Sequence, residues 1–300
     1  MIYTITFNPA IDYMLDVNSF EICKINRANS EYILPGGKGI NVSVILKNLD
    51  IPNISLGFIA GFTGDKIEEM LNNQGVKTDY IKLKEGFSRI NVKVSSNGET
   101  AINGNGPRIF SEDLEKLFLK LERLQSGDTL ILSGSIPSSL PDDIYETICT
   151  KLYDKNIDFV VDATKDLLVN SLKYNPFLVK PNRHELGEIF DVEIDNKEIA
   201  IKYAKKLQEK GAKNVLVSMG GMGAVLVDEN RKEYFLEAPS GKRLNTVGAG
   251  DSMVAGFIAG YKIYNEYFKA FKMGVAAGTA SACSKNLATK DEIINLFNNI

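Results

Sequence analysis

Tryptophan is absent from the chain, and histidine occurs once, as His184. A Ser-His-Asp or Cys-His relay would therefore have to run through that single imidazole. Cysteine is sparse and odd in number: Cys23, Cys149 and Cys283 lie far apart, with no C-x-x-C or metal-ligand spacing. That pattern gives no disulfide framework and reads as reduced thiols. There is no basic excess either, since 35 Lys+Arg face 38 Asp+Glu for a formal charge of -3. Neither nucleic acid nor an anionic membrane is expected as a partner, so any bound anion must be held by a local site. No apolar run approaches the roughly 18 residues of a membrane span. The opening MIYTITFNPAIDYMLD carries acids and no basic n-region, so it does not read as a signal peptide. A cytoplasmic protein is expected. The familiar nucleotide motifs are missing as well: Gly37-Lys38 is followed by Gly39, no G-x-G-x-x-G follows a strand, and H-R-D and D-F-G do not occur.

What is present is an alternation of short apolar runs with helical-period segments. Strand candidates are 2–7, 54–59, 128–133, 157–162, 176–180 and 214–219, with amphipathic stretches near 38–49, 64–74, 111–125, 141–155, 164–173 and 196–210. Continuous apolar strands separated by helices predict a parallel α/β sheet covered on both faces. Two segments break the rhythm. Residues 11–34 hold short extended pieces, and 88–103 alternate like a hairpin with Asn97-Gly98 at its turn. The expected organisation is a core of 1–10, 35–84 and 109–300, with 11–34 and 85–108 forming a small β-sheet lid over the strand ends.

The stretch N-T-V-G-A-G-D-S-M-V-A-G-F at 245–257 places an acid directly after a glycine turn. Met253, Val254, Phe257, Ile258 and Tyr261 mark one helix face, and Ala255, Gly256, Ala259 and Gly260 a second face small enough for close packing. A helix is predicted to start at about Ala249–Gly250, where free backbone N–H groups and the positive dipole end form an anion hole. Asp251 could serve there as ordinary dipole stabilisation. The sharper reading makes it the base that takes a proton from an attacking hydroxyl, while the amides of Gly248, Ala249 and Gly250 hold a transferred phosphoryl group.

This loop resembles the carboxyl-terminal signature of the ribokinase-like (PfkB) sugar kinases, and P-G-G-K-G-I-N-V-S at 35–43 resembles their amino-terminal one. The likeness continues through N-P-A-I-D (8–12), S-R-I-N-V-K (88–93), S-G-S-I-P (133–137), V-K-P-N-R-H-E-L (179–186) and S-M-G-G-M-G-A (218–224). It implies a parallel α/β core with a β-sheet lid, ATP and Mg²⁺, and transfer to a primary hydroxyl of a sugar phosphate. Within the family the chain is most similar to enzymes acting at the 6-hydroxyl of fructose 1-phosphate. Those acting on tagatose 6-phosphate are the nearest alternative, and a catalytically silent sugar-phosphate sensor is the reading from another class. A homodimer joined through the lid is the implied assembly.

The resemblance also assigns roles to single residues. Asp12, whose ordinary role would be an Asx turn, becomes a ligand of sugar hydroxyls. Gly36, Gly37, Lys38 and Asn41 become sugar and phosphate contacts; a lysine opposing a helix dipole gives the anion a reason to be there. Arg89 falls on the substrate phosphate, where a planar fork fits, and Arg27 is a further phosphate contact from a neighbouring subunit. Asn182 and Glu185 have capping-box spacing, and the family places both near Mg²⁺ and the ATP phosphates. Lys180, Ser218, Gly220 and Gly223 become nucleotide contacts, and Ser284 lines the adenine pocket. His184 receives no catalytic role. Two stretches depart from the family: V-V-D-A-T-K (160–165) has no glycine where relatives read D-[ST]-S-G, and A-I-N-G-N-G-P (101–107) replaces an acid and a proline.

Overall fold

The computed structural model describes residues 1–241, 243–244 and 247–300, so Asn245 and Thr246 of the glycine–acid stretch lie outside the described residues. The first part of the chain forms β1 (Ile2–Thr6), β2 (Ala10–Asp16), β3 (Ser30–Gly36), α1 (Lys38–Asn48), β4 (Asn53–Ala60), α2 (Gly61–Asn73), β5 (Lys77–Thr78) and β6 (Ile81–Leu83). The middle supplies β7 (Arg89–Ser95), β8 (Glu99–Asn103), α3 (Ser111–Leu121), β9 (Thr129–Ser133), α4 (Ile144–Leu152), β10 (Asp158–Asp162), α5 (Lys165–Ser171) and β11 (Leu178–Val179). The last part is α6 (Arg183–Phe190), α7 (Lys197–Glu209), β12 (Asn214–Ser218), β13 (Ala224–Val227), β14 (Glu233–Leu236), α8 (Ala249–Tyr264), α9 (Tyr267–Cys283) and α10 (Lys290–Asn299).

The apolar runs become central strands because both of their faces are covered. Leu130 and Leu132 of β9, Phe159 and Val161 of β10, and Val215 and Val217 of β12 enter one core, which α3 to α7 cover. Their alternate neighbours Ile131, Val160 and Leu216 enter the other, under α1, α8, α9 and α10. The sheet order is β14-β13-β12-β11-β10-β9-β1-β4-β5, with β6 also on β4. Pairings from β12 to β5 are parallel, and β13 and β14 add an antiparallel edge. From β1 the chain moves first to β4, then returns past β1 to β9. The order therefore reverses between β1 and β9, where a ligand cleft is expected beyond the carboxyl ends of the strands.

A separate four-stranded sheet, β3-β2-β7-β8, stands at that end. It is made of the two segments that broke the α/β rhythm. Its hairpin closes at Ser95 opposite Glu99, with Ser96 N–H donating to Gly98 O at 2.9 Å. Neither Asn97 nor Gly98 has a positive φ. The turn is thus not the two-residue mirror-image form that Asn-Gly favours, because the register leaves residues 96–98 unpaired.

The small face of α8 does what its composition suggests. A Cβ at Gly256 would stand 2.5 Å from Met273 O on α9, so the two helix backbones approach as only glycine permits. The departure at 160–165 also has a physical consequence. Lys165 takes φ 48 at the position where the family pattern has its glycine. A side chain in the left-handed region costs about 1–2 kcal/mol, and Lys165 offsets this only with an exposed 3.7 Å ion pair to Glu188. Lys165→Gly is therefore expected to raise the thermal midpoint by about 2 °C, read by calorimetry; a fall in the midpoint would refute the strain.

Candidate active site

Beyond the ends of β1, β9, β10 and β11, and under the small sheet, lies a cleft of about 560 Å³. Asp12, Gly37, Lys38, Asn41, Arg89, Lys180, Asn182, Glu185, Ser218, Gly248, Gly250 and Asp251 all line it. Asp12 stands on β2, and Asn91 Nδ2 donates to its Oδ1 at 2.8 Å. Gly36 leaves the space this carboxylate fills, since a Cβ there would fall 2.5 Å from Asp12 Oδ2. Gly37, at φ 129, is the N-cap of α1, and Lys38 is its first residue. Arg89 opens β7 and donates through Nε to Asn8 O at 3.1 Å.

Asp251 sits in the first turn of α8 and is 5% exposed. Gly248, at φ 78, turns the chain into this helix, whose first backbone bond runs from Ser252 N–H to Gly248 O. The amides before Ser252 thus have no intrahelical partner. Asn41 Nδ2 donates to Asp251 Oδ2 at 2.7 Å. Burial, and then the charge of Asp162, push the Asp251 pKa up to about 6 against the pull of Lys38, the Asn41 hydrogen bond and Lys180. A carboxylate so placed is a proton acceptor tuned toward neutral pH, beside a bank of free amides.

Sequence reasoning missed Asp162. It ends β10, is 1% exposed, and lies between two ammonium groups, Lys180 Nζ at 3.2 Å from Oδ1 and Lys38 Nζ at 3.5 Å from Oδ2. Burial alone would raise its pKa, but the two lysines override this and hold it ionised, below the usual carboxylate range. Desolvation likewise pulls Lys38 down, and Asp162, Asp251 and Glu185 together carry it above its ordinary value. The signal was available: an acid closing an apolar strand, followed one strand later by Lys180. Asn91 and Lys93 also line the cleft, and strand alternation from Arg89 would have found both.

A second, more apolar cavity of about 190 Å³ adjoins the cleft through Ser218 and Gly250. Gly220, Gly223 and Ala249 line it, together with Met253, Thr279 and Cys283. Ser284 is not brought in: it is the C-cap of α9, and its hydroxyl donates to Glu292 Oε1 at 2.8 Å. Arg27 is exposed in the loop between β2 and β3 and does not line the cleft. His184 is exposed beside Arg183.

Asn182 and Glu185 do form a capping box. Asn182 Oδ1 accepts from the N–H groups of His184 and Glu185 at 2.9 Å each, and Glu185 Oε2 accepts from Asn182 N–H at 2.8 Å. The cap occupies the amide oxygen that would have to serve as an Asn182 metal ligand. Glu185 has a second carboxylate oxygen and lines the cleft. Among the described residues no group of three or more His, Cys, Asp or Glu gathers round one point. The donor set therefore fits a hydrated Mg²⁺ approached through Glu185, and does not fit an all-protein cage.

Residues 6–293 match the family described as pfkB family carbohydrate kinase. The chain is 44% identical over 297 residues to the 1-phosphofructokinase of Bacillus subtilis, covering 99% of this chain and 97% of the relative. It is 36% identical over 289 residues to the D-tagatose-1-phosphate kinase of Bacillus licheniformis, covering 96% and 94%. Its fold is similar to that of Escherichia coli phosphofructokinase-2 in complex with substrates and products, with a TM-score of 0.94 at 26% identity and coverage of 99% and 98%.

Asp251 carries a stability cost whose sign is fixed. Its folded pKa of about 6 lies above the ordinary carboxylate value of 3.8, so ionisation weakens folding progressively from about pH 4 to pH 6 and fully above that. Asp251→Asn is expected to stabilise the protein by ~1–3 kcal/mol at pH 7.5, the gain shrinking toward pH 4.5. Urea titrations at the two pH values check this, and destabilisation at pH 7.5 would contradict it.

Proposed function

The chain belongs to the pfkB family of carbohydrate kinases, and from that premise we propose that it transfers the γ-phosphoryl group of ATP to the 6-hydroxyl of fructose 1-phosphate. The observation that carries the chemistry is Asp251, buried, hydrogen-bonded by Asn41 and set beside the free amides at the start of α8. A protein that only senses a sugar phosphate has no use for such a base.

Asp12, held by Asn91, orients the sugar hydroxyls, and Arg89 takes the phosphate the sugar already carries. Asp251 accepts the proton of the 6-hydroxyl, and the amides of Gly248, Ala249 and Gly250 meet the charge of the moving phosphoryl group. The nucleotide's base fits the apolar cavity, with Ser218, Gly220 and Gly223 beside its phosphates. Mg²⁺, approached through Glu185, would neutralise charge on the β- and γ-phosphates. Segments 11–34 and 85–108 act as a lid that excludes water. The face of this sheet turned away from Arg89 and Asn91 exposes Ile33, Ile90 and Ile102. A second copy would cover it, giving a homodimer and bringing Arg27 to the neighbouring site. Work on ATP and a sugar phosphate suits the cytoplasm.

The names of both similar enzymes point to a ketose phosphorylated at C1. That favours fructose 1-phosphate and makes tagatose 1-phosphate, its epimer at C4, a closer alternative than tagatose 6-phosphate. Steady-state ADP release with MgATP is expected to give the highest kcat/KM for fructose 1-phosphate among these three and fructose 6-phosphate. A tagatose phosphate in first place would overturn the substrate, and tight binding without turnover would restore the sensor. Asp251→Asn should lower kcat by about 10²–10⁴-fold with KM little changed; equal losses in both would remove the base role. Wild-type kcat/KM for the sugar phosphate should climb through about pH 6 as Asp251 ionises, since that ratio reports the free enzyme.

A further inference from the structure

Asp162 has no part in the steps above, yet it is the most enclosed carboxylate of the cleft. It closes β10 opposite Ser133 of β9, beside the point where the strand order reverses. A buried carboxylate is costly unless paired, and one ammonium would be enough to neutralise it. Here there are two, Lys180 and Lys38. Lys180 is enclosed with the carboxylate, whereas the Lys38 side chain is 38% exposed toward the cleft, where Asp251 and Glu185 also attract it. An ammonium held at the cleft surface can meet an anion that arrives and leaves.

Its position says which anion. Lys180 Nζ would lie 3.3 Å from a Cβ at Gly250, so its ammonium rests against the glycine turn beside Asp251. The charges of Asp162, Asp251 and Glu185 all act on Lys38. Asp12 is the carboxylate whose charge acts on Arg89. Arg89 shares the sugar end of the cleft with Asp12. Lys38 lines a side cavity of about 220 Å³ together with Arg89 and also pairs with Asp162, so it stands between the sugar end and the transfer end where Lys180 rests.

We propose that Asp162 is a positioning residue that holds Lys38 and Lys180 on the transferring phosphoryl group, so that Lys38 acts in the transition state and not on the phosphate the sugar already carries. The assignment rests on the kinase reading of this site. The bond from the γ-phosphorus to the ADP oxygen breaks as the bond to the sugar oxygen forms, and the hydroxyl proton passes to Asp251. Lys38 and Lys180 meet the negative charge on the equatorial oxygens and on the departing ADP oxygen.

The test separates KM from kcat in three variants of the full chain with MgATP and fructose 1-phosphate. Lys38→Met is expected to lower kcat by about 10²–10³-fold with the sugar-phosphate KM within about threefold. Arg89→Met should instead raise that KM, since it removes a contact present before and during transfer. Asp162→Asn should lose as much kcat as Lys38→Met, and the double variant little more than either. The acidic limb of kcat should move in opposite directions, up in pH for Lys38→Met and down for Asp162→Asn, which a merely structural role would not produce. Lys38→Met leaves the Asp162–Lys180 pair in place, so it decides the matter even where Asp162→Asn fails to fold. A tenfold or larger rise in sugar-phosphate KM with kcat retained in Lys38→Met would overturn the assignment and return Lys38 to the sugar's own phosphate. A wild type that turns over none of the sugar phosphates would instead defeat the kinase reading on which the assignment stands.

Discussion

A single hydrogen bond, Asn41 Nδ2 to Asp251 Oδ2 at 2.7 Å, joins side chains 210 residues apart in sequence and fixes the geometry of the cleft. It can form only because α1 and α8 share one core, where Ile45 and Leu46 belong to the same cluster as Val254 and Ile258. It also needs the left-handed turn at Gly248. A Cβ there would stand 2.7 Å from Leu287 Cδ2 and 3.3 Å from Asn41 Nδ2, displacing the donor itself. Two glycine turns, one before each helix, thus bring both amino-terminal ends to the same cleft. A hydrogen bond to a charged acceptor contributes about 1.5–3 kcal/mol, and here its acceptor is the group whose ionisation the site must sustain.

That ionisation is opposed by the surroundings. Burial and Asp162 disfavour the charged form of Asp251, while Lys38, Asn41 and Lys180 favour it. The balance leaves a base neither so acidic that it would not take a proton nor so buried that it stays neutral. Asp162 therefore does two things at once. It repels the negative charge of Asp251, and it gathers the two lysines that partly cancel that repulsion. The cleft tolerates this because the charges are held by strand ends and by the first turns of α1 and α8, which pack on the sheet, where a shift of any one group would disturb packed neighbours.

The fold was legible in the sequence wherever burial imposed a period. Central strands read as continuous apolar runs, α8 announced its small face through Ala255, Gly256, Ala259 and Gly260, and the extended pieces near 11–34 and 88–103 became the second sheet. Both readings of the Asn182–Glu185 spacing were open beforehand, and the cap is what the structure displays. Less legible were features fixed by contacts between distant segments. Nothing local to Asn97-Gly98 says that pairing with β2 and the main chain register leave three residues in the turn. Ser284 and Cys283 are adjacent in sequence, and only the end of α9 decides which faces the cavity. Asp162 was hidden because the surrounding V-V-D-A-T-K was judged by the glycine it lacks, although the acid it contains meets lysines from α1 and from the end of β11.

On the proposed reaction, the topology separates two tasks that share one cleft. The groups assigned to the sugar, Asp12, Arg89, Asn91 and Lys93, are carried by β2 and β7 of the small sheet, where they repeat at alternate positions of the two paired strands. The groups assigned to the transfer, Lys38, Asp162, Lys180, Glu185 and Asp251, are carried by strand ends and helix starts of the main α/β layer. The hydrogen bond from Asn91 to Asp12 lies wholly within the small sheet, and the Lys38–Asp162–Lys180 cluster joins the start of α1 to the ends of β10 and β11. A change of residue on β7 or β8 can therefore alter the surface offered to sugar hydroxyls without moving the base or the anion hole. Two ketose phosphates that differ in the orientation of one hydroxyl present the same phosphate and the same attacking oxygen. Discrimination between them falls to polar contacts of the small sheet, where an unpaired buried partner is the penalty for the wrong epimer.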